Sequence, residues 1–158
     1  PGKGSSFHIY LPNVEEKAHE SKMESMQAAK LPMSNSILVV DDDPQIQALV
    51  ESMLTLMGKQ VYPAGSGAEA LEVFKKKKNS IALAILDIQM PDMDGKTLFR
   101  KLKALKPELK VLISSGYDKA TALEGLGAKG PEGFIQKPYW INTLEEKVTE
   151  LLHGPHPT

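Results

Sequence analysis

Cysteine is absent from this 158-residue sequence, so it can form no disulfide framework, thiol nucleophile or thiolate metal site. Four scattered histidines leave little for zinc. Neither sign of charge is in excess. The 19 Lys and Arg stand against 20 Asp and Glu, net −1, so no global field favours nucleic acid or an anionic membrane. Long apolar runs are missing too. The longest, Ile81 to Leu86, falls far short of the roughly 18 residues that span a bilayer. The chain begins at Pro1 with neither a methionine nor an apolar leader. It therefore reads as a piece of something longer, and a cytoplasmic location is the default expectation. Its length suits one domain plus a tail.

What is present divides near Ser36. Before it lies one short apolar patch; after it, apolar runs alternate with amphipathic stretches. The runs at Ile37–Val40, Gln60–Pro63, Leu83–Leu86, Val111–Ser114 and Gly133–Gln136 predict five strands. Helical patterns fall at Pro44–Met57, Gly67–Lys77, Lys96–Leu105, Lys119–Leu126 and Ile141–Leu152. Pro44 suits a first helical turn, Gly58 a helix end, and Asp94-Gly95 a cap and turn. Ile46, Leu49, Val50, Met53, Leu54 and Met57 share one helix face, which makes the methionines core. Strict alternation with near-continuous apolar strands predicts an α/β doubly wound, five-stranded parallel sheet with five helices. In such sheets ligands sit beyond the carboxyl ends of the strands.

Four of those ends are complementary in chemistry. The first carries Asp41, Asp42 and Asp43, the third Asp87, the fourth Ser114 and Ser115, and the fifth Lys137 followed by Pro138. Four carboxylates on one rim repel unless a hard cation sits among them, and oxygen ligands suit Mg2+. With an ammonium and a hydroxyl added, the rim suits a phosphoryl group. Asp87, alone on a central strand, is the best candidate to form an acyl phosphate. Gln89 can offer its backbone carbonyl to the metal.

Residues 36–152 resemble the receiver domain of two-component response regulators and hybrid histidine kinases, a flavodoxin-like fold. The resemblance rests on Ile37-Leu-Val-Val-Asp-Asp-Asp-Pro44, Leu86-Asp-Ile-Gln-Met-Pro-Asp-Met-Asp-Gly95, Val111-Leu-Ile-Ser-Ser-Gly-Tyr117 and Gly133-Phe-Ile-Gln-Lys-Pro-Tyr139. It implies a phosphorelay protein that forms an aspartyl phosphate. Asp41 and Asp42 would hold magnesium together with Asp87 and the Gln89 carbonyl, Asp87 would be the phosphoacceptor, and Asp43 is an extra acid outside the pattern. Ser115 would sense the phosphoryl group and Lys137 would be the essential lysine, with a cis Lys137-Pro138 peptide. Phe134 takes the place of the switch aromatic, and Gln89 and Tyr117 occupy positions that influence phosphoryl loss. The implied partners are a kinase phosphotransfer domain carrying a phosphohistidine, or a histidine phosphotransfer protein. The implied output is the face of the fourth helix, fifth strand and fifth helix.

Residues 1–12, Gly2-Lys-Gly-Ser-Ser-Phe-His-Ile-Tyr-Leu-Pro12 in particular, resemble the last glycine box and closing strand of a histidine-kinase ATPase domain. The resemblance implies a hybrid sensor kinase, which its sensor portion can anchor to a membrane. Residues 13–35 then form a linker, 36–153 the receiver and 154–158 a tail. His19-Glu20 belongs to the linker, and Lys75–Lys78 read as a solvated helix end. Trp140 either packs on the last helix, the first expectation, or serves partner docking. Two other functions compete. A docking module independent of phosphorylation would have lost one of the chemical residues, and none is lost. A magnesium phosphohydrolase with an aspartyl nucleophile would carry Asp-x-Asp where this chain has Asp-Asp-Asp-Pro, and would need a cap domain. A dinucleotide-binding domain is excluded, because no Gly-x-Gly-x-x-Gly follows the first strand.

Overall fold

The computed structural model describes residues 36–154, so the kinase-like segment, the linker and residues 155–158 lie outside the described residues. In chain order the elements are β1 (Ser36–Val40), α1 (Pro44–Leu56), β2 (Gln60–Ala64), α2 (Gly67–Lys77), β3 (Ile81–Asp87), α3 (Gly95–Leu105), β4 (Lys110–Ser115), α4 (Lys119–Leu123), β5 (Gly133–Gln136) and α5 (Ile141–His153). All strand pairings are parallel and the order is β2-β1-β3-β4-β5. The doubly wound architecture read from the sequence is therefore the observed one. Pro63 is tolerated because β2 is an edge strand.

The helices start where side chains can satisfy their free N–H groups. Asp43 Oδ1 accepts from the N–H of Gln45 at 2.8 Å, with Pro44 in the first turn of α1. Ser66 Oγ accepts from Glu69 N–H at 3.1 Å to start α2. Strand residues alternate between two cores. Leu38, Val40, Ala84, Leu86, Val111 and Ile113 pack under α2 and α3 with Phe74, Leu98 and Leu102. Ile37, Val39, Leu83, Ile85, Leu112 and Ile135 pack under α1 and α5 with Leu54, Leu144 and Val148. This two-residue period puts every second side chain on the same face. It slips once, between the Ser36–Ile81 and Ile37–Leu83 pairs, where Ala82 is the extra residue.

The clearest departure from the sequence reading is the fourth helix. It stops at Leu123 instead of running to Leu126. Gly125 and Gly127 take φ of +75° and +82°, which disfavours any residue with a Cβ and unwinds the chain there. The irregular segment is held by cationic side chains of α3. Lys96 donates to Glu124 O at 2.8 Å and Arg100 to Gly125 O at 2.9 Å.

Candidate functional site

The carboxyl ends of β1, β3 and β5 supply the charged groups. Asp41 follows β1 and Asp87 ends β3, and both are buried. Val40 pairs with Leu86 in the register, so the two aspartates follow side by side. Asp42 is exposed and turns back toward them. One oxygen from each of Asp41, Asp42 and Asp87 lies within 4.8 Å of the others. Asp43, the extra acid, is not in this group, because its carboxylate caps α1.

Lys137 follows β5 and its ammonium bridges the two buried acids. Nζ donates to Asp41 Oδ2 at 2.6 Å and to Asp87 Oδ2 at 2.7 Å. The other oxygens are held by backbone. Asp43 N–H donates to Asp41 Oδ1 at 3.0 Å and Gln89 N–H to Asp87 Oδ1 at 2.8 Å. Burial raises the Asp41 carboxyl above its ordinary value, and hydrogen bonding and charge from Lys137 only partly oppose this. Burial alone would lower Lys137, but its hydrogen bonds to Asp41 and Asp87, with their negative charges, outweigh it and raise the ammonium instead. The Lys137-Pro138 peptide is cis, as the resemblance implied.

Ser115 is fully buried, and its hydroxyl accepts from Tyr117 N–H at 3.0 Å. It serves the loop backbone in this state and makes no bond to Asp87. Phe134 is half-buried against the α2/α3 core. Trp140 does not pack on the last helix as expected; it is 81% exposed. Gln89 lies near Gly116, where an added Cβ would sit 3.5 Å from Gln89 Oε1.

The loop from Asp87 to α3 depends on Gly95. A Cβ there would come within 2.2 Å of Asp87 O and 2.7 Å of Ile88 Cα, a backbone clash that only glycine avoids. Sequence reasoning treated Asp92 as loop. In the structure its carboxylate accepts from the N–H groups of Gly67 and Ala68, both at 3.4 Å, tying this loop to the start of α2.

Residues 37–149 match the response regulator receiver domain family, and the chain belongs to it. It is thus a receiver domain of two-component signalling. Its relatives include sensor kinases. It is 34% identical over 160 aligned residues to the sensor kinase CckA of Brucella abortus (strain 2308). That alignment takes in 96% of this chain but only 17% of the kinase, so the chain spans a small part of its relative's length. Among solved structures, the receiver domain of the hybrid histidine kinase CckA aligns with a TM-score of 0.65 at 31% identity, covering 75% of this chain and 99% of that one. The response regulator TrrA from Thermotoga maritima, in complex with Mg(2+)-BeF, aligns at 0.67 and 30%, with the same coverage. Three convergent carboxylates are compatible with a divalent cation. No helix among the described residues is long and apolar enough to cross a membrane.

Proposed function

We propose that Asp87 accepts a phosphoryl group from a phosphohistidine, within a chain that forms the receiver of a hybrid sensor histidine kinase. The Lys137 bridge between Asp41 and Asp87 carries this reading, because it sets a cation against the candidate nucleophile inside an acidic cluster. In the transfer an Asp87 oxygen forms a bond to phosphorus as the donor's P–N bond breaks, and the imidazole keeps the electron pair. Lys137 neutralises phosphoryl oxygens, and the Ser115 hydroxyl leaves Tyr117 N–H to donate to another. Asp41, Asp42, Asp87 and the Gln89 carbonyl would hold Mg2+, whose charge balances that of the phosphoryl oxygens when bound.

The switch follows from Ser115 turning inward, with Phe134 repacking and the α4, β5 and α5 face changing shape as a population shift. For the donor, Ile46, Leu49, Pro138 and Tyr139 line an apolar pocket of about 230 Å³ that also touches Lys137, with Trp140 exposed nearby. An apolar seat beside the acceptor fits a helix carrying the histidine, whether on a kinase phosphotransfer domain or a histidine phosphotransfer protein. Residues 1–12 are assigned to the end of a kinase ATPase domain and 13–35 to a linker. The 96% coverage of the alignment with a sensor kinase supports that parentage, since it extends well beyond the receiver match.

Intact mass after incubation with acetyl phosphate and Mg2+ tests the proposal. The expected result is one hydroxylamine-labile phosphoryl adduct, absent from Asp87→Asn and from a magnesium-free sample. A folded native chain that takes no adduct would instead indicate a docking module that works without phosphorylation.

A further inference from the structure

The irregular segment after α4 forms a cavity with α3. Its volume is about 640 Å³. Small-ligand sites ordinarily measure roughly 300–1,000 Å³. Phe99 of α3 and Leu126 of the segment line it, and both are buried, which gives the cavity an apolar floor. Glu132 borders it just before β5, and this residue also bonds to Val111 near the start of β4. The cavity therefore extends toward the amino ends of these strands, away from the acidic rim at their carboxyl ends.

The charged groups around it are not equally engaged. Glu132, the one acid bordering it among the described residues, is fully used. One carboxylate oxygen takes the Lys103 ammonium and the other accepts from Val111 N–H at 2.8 Å. Lys103 is spent on that pair and on Leu109 O, at 2.7 Å. Arg100 and Lys129 are not spent, and both are exposed. Arg100 places a single nitrogen on Gly125 O at 2.9 Å, and Lys129 makes no hydrogen bond or ion pair among the described residues. Two cations beside an apolar floor are thus left for an occupant. A neutral apolar molecule would desolvate them without compensation, and a bare inorganic anion would leave Phe99 and Leu126 uncovered.

We propose that this cavity binds a small amphipathic organic anion, an aromatic or branched carboxylate, sulfonate or phosphate ester. Its apolar body lies on Phe99 and Leu126, and its anionic head meets Arg100 and Lys129. The walls belong to α3 and to the glycine-bearing segment, so an occupant joins the two and adds to the tether that Arg100 already makes. Binding is then felt as increased order in that segment. The site does not depend on the reading of Asp87 as the acceptor.

The probe is naphthalene-2-sulfonate, with naphthalene-2-sulfonamide as its neutral counterpart and inorganic sulfate as the bare anion. Each is titrated into the full chain and followed by amide resonances. The sulfonate should saturate with a Kd of about 1 mM or tighter, ordinary for a ligand of its size, and should move the amides of residues 99–104 and 125–132. The sulfonamide and the sulfate should both bind more weakly. Lys129→Gln breaks no contact of the fold, and it should weaken the sulfonate about twofold to fivefold while leaving the sulfonamide unchanged. Leu126→Trp, which fills the floor, should remove binding of both. Amide exchange over residues 124–130 should slow as the sulfonate saturates. Equal affinity for sulfonate and sulfonamide, a Lys129→Gln chain that binds the sulfonate at native strength, or shifts scattered over the surface without saturation would overturn the site. Saturation with exchange left at the free rate would overturn its coupling to the segment.

Discussion

The two faces of the sheet are built differently. The face under α1 and α5 is covered by two helices of 13 residues each, and Asp41, Asp87 and Ser114 point to this side at its rim. The opposite face has α2 and α3 of 11 residues, but its third cover is the five-residue α4 followed by a glycine-bearing segment. On that side order comes from single tethers. Lys96 and Arg100 hold carbonyls of the segment, while Glu132 accepts from Lys103 and from the N–H of Val111 at 2.8 Å. The acidic rim thus sits above the half covered by the two longer helices, and the opposite half is held by separable polar contacts. Few cooperative contacts mean a low local opening free energy, which is what a switching element needs.

The largest expected effect breaks the comparison at its packed side. Leu54, fully buried on α1, should cost about 2–5 kcal/mol when cut to Ala. Leu126, 7% exposed in the irregular segment, should cost clearly less, since its surroundings can collapse into the space. Urea unfolding of both variants checks this, and equal losses would mean that the two faces are equally rigid.

A pH series separates the faces in a second way. Asp41 is held above 3.8, so the folded chain binds its proton more tightly than the unfolded chain does. In cation-free buffer its contribution to stability should therefore rise as pH falls through the interval just above 3.8, and Asp41→Asn should remove that rise. Asp118, the cap of α4, is held below 3.8, first by the backbone N–H of Thr121 and then by the Thr121 hydroxyl. Its contribution is present above 3.8 and lost as pH falls below it, so the advantage of the native chain over Asp118→Asn should vanish in strong acid. Denaturation of the three proteins across about pH 3 to 6 reads both signs.

The smallest effect is the most local. Replacing Lys96 and Arg100 by Met should change global stability by no more than about 1 kcal/mol, because both are surface groups. Amide exchange over 121–127 should nevertheless quicken while α1 and α5 stay unchanged. Acceleration spread evenly over all the helices would erase the distinction between the faces.

Much of this was legible in the amino-acid order. Strand alternation, helix caps such as Asp43 and Ser66, and the glycine at position 95 are local devices, so each leaves a local pattern. The acidic run, Asp87 and Lys137 could be assembled in advance because the sheet class dictates that strand ends meet at one rim. The fourth helix was overextended for a definite reason. Ala122, Leu123 and Leu126 keep helical spacing, but Gly125 sits where the helix must stop and Arg100 captures its carbonyl from another element. Of the two readings of Trp140, packing on the last helix failed because the ring is turned outward after Pro138, which leaves the docking alternative.

The sequence by itself determined the layer order, the inward residue sets and the chemical identity of the rim, since periodicity and turn chemistry act over a few residues. Only the tertiary structure decided which oxygens Lys137 bridges, that Ser115 serves Tyr117 N–H, and that Asp92 ties its loop to the start of α2. Those pairings join residues that are distant in the chain or depend on side-chain rotamers, and packing selects them only once strands and turns have been brought together.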